Sequence, residues 1–422
     1  MTAITSQIHN SHFTRRVKKF IYPINFCIAN NYSKLTTPPD MNNKKILFVS
    51  YTAVLGGGEL CLLDFAHAYR ETSQVVLLTD GILKNRLEDL GVKVEVLQAS
   101  RSLADVKVSS GLASLKSIGD LWRLGKQIAN KSKDFDLIHA NNQKGFVVSA
   151  IAKLFGGAPV VWHLHDILTA DIFSPTNRRI AVTLANWFAT RVIVNSQATG
   201  DAFIAAGGDR KLLRTVYNGF DREKFDQVND NQKTLREELG IPRDRNLIGM
   251  FSRLSYWKGQ HILLEAAAQL PDVHVLLVGD ALFGEAEYTE KLKNIAAQES
   301  LKGRVHWLGF RQDIPALMKA CDAIAHCSTA PEPFGRVIVE AQLAKRPAIA
   351  TIGGGTSEII ENGITGLLIP PNNPQLLAEA MQKVFCDRDF TNQMVETAYN
   401  QAQTKFSIPS VCQAFEIAIA GI

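Results

Sequence analysis

The chain has 422 residues, 46% hydrophobic and 21% charged, a globular composition with room for two cores of ordinary domain size. Its formal charge of +5 is unevenly placed: residues 1–40 hold Arg15, Arg16, Lys18, Lys19 and Lys34 against Asp40, so the rest is nearly neutral and no nucleic-acid partner is indicated. The six cysteines, Cys27, Cys61, Cys321, Cys327, Cys386 and Cys412, have neither a C-x-x-C pair nor a regular spacing, which argues against a zinc site or a disulfide framework and for buried thiols of a reducing, cytoplasmic compartment.

The first forty residues are polar and without periodicity, and read as a disordered or non-native extension. Met41 is a candidate translation start, and the rival reading is a targeting or membrane-contacting segment over 13–21. The best apolar run, 20–29, is short and contains Pro23 and Asn25, so no spanning helix is expected.

From Lys45 onward, short β-branched runs alternate with amphipathic stretches, the pattern of β-α units around a parallel sheet. Strands are expected at 46–50, 75–78, 92–97, 137–140, 160–164, 192–195 and 214–217. A charged, less regular stretch over 221–246 is the linker candidate. The alternation restarts at 247–251 and continues at 273–278, 305–308, 323–326, 347–351 and 366–369. Two doubly wound domains in series follow, at 41–220 and 247–400, with ligands expected in the cleft between them at the carboxyl ends of the strands. Residues 401–422 are expected to end in a helix that can pack back on the first domain.

Four strings carry the chemistry. After the first strand, Gly56, Gly57, Gly58 and Glu59 form a loop whose backbone can approach an anion closely. At the end of the strand 160–164 the chain reads W-H-L-H-D, with His163 and His165 on one side by alternation. Between Gly249 and Gly259, Arg253 and Lys258 lie just beyond the first strand of the second domain. A leaving nucleoside diphosphate gains negative charge, and this pair can stabilise it without a metal. From Ala330 to Ala341 the chain reads A-P-E-P-F-G-R-V-I-V-E-A: Glu332 sits in the loop and Glu340 on the helix beginning near Gly335. One carboxylate can meet a sugar and the other a ribose diol, while the free amides of the helix start favour a phosphate. The D-x-D at Asp134 and Asp136 precedes its strand, at the wrong end of a sheet for metal work, and reads as a turn.

With the string E-P-F-G-x-x-x-x-E-A in this context, the chain resembles the retaining glycosyltransferases of family four, and the likeness runs in consistent order from about Lys45 to Phe385. It implies the GT-B fold, two Rossmann-like α/β domains facing a deep cleft. It also implies a retaining, metal-independent transfer from a nucleoside-diphosphate sugar with no cofactor. By the same resemblance Glu332 and His165 are the catalytic candidates, and Arg253, Lys258, Gly57, Gly335 and Arg336 bind the donor diphosphate. Glu340 binds the ribose, Phe334 and Asp166 meet the donor sugar, and His139 and Glu358 are structural. Arg336, where an apolar residue is commoner, and Gly58, where Ala is frequent, are departures. The implied acceptor is a glycan, a lipid-linked sugar or a small molecule, in bacterial cell-surface polysaccharide or glycolipid synthesis. Helix 111–130, with Lys116, Arg123 and Lys126, and the pair Arg178 and Arg179 could rest on an anionic membrane, on the inner face of the plasma membrane, or could simply cover the sheet. Two further readings share the scaffold: a nucleotide-sugar epimerase or inverting transferase, and a catalytically silent nucleotide-sugar sensor or assembly partner.

Overall fold

A computed structural model describes residues 44–51, 55–100, 115–169, 174–228, 232–281 and 285–422. The amino-terminal extension, its Met41 and the first residues of the expected helix 111–130 lie outside the described residues. Two parallel sheets organise the chain. The first contains β1 (Ile46–Ser50), β2 (Ser73–Leu77), β3 (Val94–Val96), β4 (Leu137–Ala140), β5 (Val160–Leu164), β6 (Ala189–Val194) and β7 (Leu213–Thr215) in the order β3-β2-β1-β4-β5-β6-β7. The second contains β8 (Asn246–Phe251), β9 (Val273–Val278), β10 (Val305–Gly309), β11 (Ala323–His326), β12 (Ala348–Thr351) and β13 (Leu367–Ile369) in the order β10-β9-β8-β11-β12-β13. Both orders reverse beside their first strand, between β1 and β4 and between β8 and β11. At such switch points the connecting helices diverge to opposite faces and leave a crevice at the carboxyl ends.

The strands are nearly all apolar because both faces of each sheet are covered. Along β1, Leu47 and Val49 enter one core with Ile138, Trp162 and Phe146, while Ile46 and Phe48 enter another with Phe65 and Phe415. The second sheet repeats the plan, with Ile248 and Val275 on one side and Leu247 and Leu276 on the other.

The stretch expected as an irregular linker contains the short helices Glu223–Asp226 and Gln232–Leu239, and its Phe225, Leu235 and Ile241 are buried in a core of the second sheet. Charge misled the reading: Arg236 is buried, donating to the carbonyls of Pro242 and Arg245 and pairing with Asp322. The helix Ile408–Ala418 lies against the helix Gly57–Ala68 of the first half, with Phe415 edge-on to Phe65 at 5.2 Å and Glu416 accepting from the Tyr69 hydroxyl at 3.0 Å. The Asp134–Asp136 turn sits at the amino ends of β1 and β4, where Asp136 accepts from the Lys45 amide at 2.7 Å.

Candidate functional site

The candidate residues come from the strand ends flanking the two switch points. The Gly56–Gly58 loop follows β1, Asn141 follows β4, and His165 and Asp166 follow β5; Arg253 and Lys258 follow β8, and Glu332 follows β11.

In the second half, Glu332 is the centre of a polar cluster. Its Oε2 accepts from Lys258 Nζ at 2.7 Å and from Ser328 Oγ at 2.9 Å, and lies 3.2 Å from His326 Nε2. Its side chain is only 13% exposed. Burial alone would raise this carboxyl, but the Lys258 ammonium and the His326 contact outweigh it and hold Glu332 well below the usual glutamate range. The indole of Trp257 underlies the cations, with Lys258 Nζ 3.9 Å and Arg253 Cζ 5.8 Å from its ring centroid. The loop is held from behind by the run Gly353, Gly354 and Gly355. Glu332 and Gly354 form a parallel bridge, and the Gly355 amide donates to the Glu332 carbonyl at 2.8 Å. Gly354 has φ +67°, and a Cβ there would stand 2.0 Å from that carbonyl oxygen, so only glycine fits. The helix Arg336–Leu343 starts at Gly335 (φ +99°), and its first amides have no intrahelical acceptors.

A second cluster lies across the cleft. Arg336 reaches into the first half, where its Nη2 donates to Asp64 Oδ2 at 3.1 Å; Lys224 Nζ is 3.6 Å from the same carboxylate. The guanidinium lies 4.4 Å from the Phe220 ring centroid and 3.9 Å from Glu340, and its Cδ would be 3.7 Å from a Cβ on Gly57. Burial raises the Glu340 carboxyl, and Arg336 partly offsets that. Arg336 therefore meets Gly57, but one of its nitrogens is committed to Asp64, which the sequence reading missed because the partner is remote in the chain.

His165 Nε2 is 3.1 Å from Asn141 Oδ1, and Asn141 Nδ2 donates to the Gly58 carbonyl at 3.1 Å. His165 Nδ1 is buried without a partner among the described residues. Burial, then the neighbouring His139 and Arg336, push the imidazole down to about 3, so it is neutral at ordinary pH. His165, expected as a catalytic group, thus stands at the end of β5 as a neutral imidazole with Nε2 against Asn141. Gly58 is explained by the same ring, since a Cβ there would be 3.0 Å from His165 Cδ2. Asp166 is open to water, yet the protein packed about it raises its carboxyl.

Phe334, expected at the donor sugar, lies at the junction of the halves. Its side chain is 2% exposed and packs with Phe406 at 5.7 Å, Tyr217 at 6.0 Å and Phe220 at 6.3 Å. An apolar ring at the junction of the halves is better buried than wet, which leaves the backbone of Phe334, next to Gly335, as the part that can approach a donor sugar.

Several residues went unread in the sequence. His326 and Ser328 alternate at the end of β11 and share Glu332, and Asn141 ends β4; the strand-end rule that found Arg253 could have found all three. Glu59, 9% exposed, has its carboxyl raised to about 7, by burial first and by the Asp166 charge, against hydrogen bonds from its own loop and Asn142.

Comparison with known proteins gives a consistent picture. The family profile described as "Glycosyl transferases group 1" matches residues 231–401, and that described as "Glycosyl transferase 4-like domain" matches 56–219. The crystal structure of HepE from Anabaena in complex with UDP-glucose is 42% identical, covers 90% of this chain and 100% of that one, and superposes with a TM-score of 0.82. D-inositol 3-phosphate glycosyltransferase of Corynebacterium urealyticum is 32% identical over 242 residues, 55% of this chain and 57% of the relative, so the match spans little more than half of that protein. Spore coat protein SA of Bacillus subtilis is 28% identical over 299 residues, 67% of this chain and 78% of the relative.

Proposed function

The chain belongs to the group 1 glycosyltransferases and uses a nucleotide sugar, and on that premise we propose that it transfers glucose or a close relative from a uridine-diphosphate sugar, with retention and without a metal at the diphosphate. The observation that carries this reading is the grouping of Lys258, Arg253 and the buried carboxylate of Glu332 around Trp257, beside the open amides of the helix Arg336–Leu343. Two cations and a helix start can bind a diphosphate and stabilise the charge it gains on departure. The uridine assignment is supported by HepE, the relative solved with UDP-glucose.

In the proposed reaction the bond from the anomeric carbon to the diphosphate oxygen breaks, and the electron pair leaves with the phosphate. Arg253 and Lys258 receive that charge. The acceptor hydroxyl attacks the same face, and its proton passes to the departing phosphate oxygen. Glu332 Oε2 already accepts from Lys258 and Ser328, which suits a group that orients the sugar and the lysine better than a nucleophile. Glu340, near the start of its helix and next to Arg336, is the proposed ribose ligand.

The proposed acceptor is a glycan, lipid-linked or small-molecule hydroxyl of a surface polysaccharide or glycolipid. Among the described residues no helix is long and apolar enough to cross a membrane. The five described cysteines are unpaired, which fits the proposed reducing, cytoplasmic setting. A surface of the first half supports a peripheral membrane contact: Ile118, Trp122, Leu154 and Phe155 are exposed beside Arg123 and Lys126.

A thermal-shift panel of UDP-, GDP- and ADP-glucose, followed by NMR of the glycoside formed on a panel of aryl glycosides, tests the reading. UDP-glucose is expected to give the largest rise in midpoint, and the product to keep the donor's anomeric configuration. Preference for GDP- or ADP-glucose, or an inverted product, would contradict it.

A further inference from the structure

The helix Gly57–Ala68 covers a cluster of thiol and imidazole side chains at the end of β5. Alternation along β5 puts His163 and His165 on one side, with ring centroids 4.0 Å apart and planes tilted by 30°. The thiol of Cys61, fully buried, comes from the helix above, and one ligand atom from each of Cys61, His163 and His165 lies within 4.8 Å of the other two. A third imidazole, His139 on β4, stands edge-on to His163 with ring centroids 5.2 Å apart. Around them are the rings of Phe48, Phe65 and Phe415.

Polar atoms in such apolar surroundings normally have partners. Here both ring nitrogens of His139, both of His163 and Nδ1 of His165 are buried without one among the described residues. The tautomer of His165 follows from its neighbours. Asn141 Nδ2 donates to the Gly58 carbonyl, so Asn141 Oδ1 faces the imidazole, and His165 Nε2 must be the protonated nitrogen that donates to it. Its Nδ1 is then a lone pair directed into protein, with no donor among the described residues to meet it.

We propose that Cys61, His163 and His165 form a binding site for a borderline transition-metal cation of the Zn²⁺ class. A thiolate and two neutral imidazoles are a donor set such ions prefer, and the hydrogen bond from His165 Nε2 to Asn141 is the outer contact that typically orients a ligating histidine. Ligand atoms on one Zn²⁺ are roughly 3.5 Å apart, so the rings and the thiol must close by about 1 Å. Binding displaces the Cys61 thiol proton to solvent as the sulfur–metal bond forms, with no change in oxidation state. His139 or a water can fill the fourth position. Cysteine spacing hid the site, because its ligands come from a helix, from β5 and from the residue just past its end. A metal there would clamp the helix Gly57–Ala68 to the end of β5, and with it the glycine loop beside the donor. The site is distinct from the diphosphate, and the proposal rests on the cluster's geometry alone.

The test is spectroscopic and independent of turnover. Full-length protein is stripped with chelator under reductant and titrated anaerobically with Co²⁺; a second sample is loaded with Zn²⁺, desalted and analysed for metal. One equivalent is expected to be retained, with a near-ultraviolet thiolate-to-cobalt band that Zn²⁺ displaces. Cys61→Ser should abolish the band, and His163→Gln should weaken binding by roughly tenfold or more. Substoichiometric metal with no band in the wild type overturns the site, as does a band that survives in Cys61→Ser. Should one variant fail to fold by circular dichroism, the wild-type titration and the other variant decide.

Discussion

Glu332 and Glu59 show how burial sends two carboxyl groups of one cleft in opposite directions. Glu332 has a lysine, a serine and a histidine about one oxygen and stays ionised. Glu59 has no such countercharge in contact among the described residues, faces the Asp166 charge, and is raised to about 7. Below that value Glu59 is neutral; above it, a negative charge appears at the start of the helix Gly57–Ala68, in the loop proposed to approach the donor diphosphate. Donor binding should therefore weaken as pH rises through about 7. The expected outcome is a KM for UDP-glucose that climbs between about pH 6 and pH 8 in the wild type and is flat over that range in Glu59→Gln. A KM with the same pH profile in both proteins would contradict the role. The glutamates of the E-P-F-G string were legible as a motif, whereas the titration of Glu59 was not, because it depends on how deeply the helix start is buried.

At the scale of elements, strand ends were readable and their supports were not. Alternation located β1, β4, β5, β8 and β11, whose carboxyl ends supply most of the site. The purpose of the run Gly353–Gly355, by contrast, is clear only from the backbone of Glu332 lying against it. Glu358 is similar: its carboxylate accepts from the amides of Gln197 and Ala198, each at 2.9 Å, and so caps the helix Gln197–Ala205 of the other half. The helix Leu115–Lys131 buries Leu124 and Ile128 against the sheet, yet Trp122 is 46% exposed and packs edge-on to Phe155 at 5.5 Å. An aromatic pair left at the surface among cations suits a membrane interface. Co-sedimentation with phosphatidylglycerol vesicles is expected, reduced in high salt and several-fold weaker in Trp122→Ala. Equal sedimentation with neutral and anionic vesicles would contradict that role.

The whole molecule is two sheets held together at several points. The chain crosses between the halves twice in adjacent passages, where the Phe220 amide donates to the Phe406 carbonyl at 2.8 Å and Phe334 and Tyr217 pack about the crossing. Arg336 and Asp64 add a part-buried ion pair, and Glu358 a helix cap. Two doubly wound domains were legible because β-α alternation is periodic in the sequence. The pairs that join them were not, since Asp64 and Arg336, or Glu358 and Gln197, are linked only by the fold. This assembly brings Arg253, Lys258 and Glu332 to one side of a cleft closed by Arg336, and the central claim is that these side chains perform the work of a metal at the diphosphate. Release of UDP from UDP-glucose in the presence of EDTA measures it most directly. The wild type is expected to keep its rate, and Arg253→Ala to lose roughly 10²-fold or more while remaining folded. Loss of wild-type activity in EDTA that Mg²⁺ or Mn²⁺ restores, or an Arg253→Ala variant with an undiminished rate, would contradict the account.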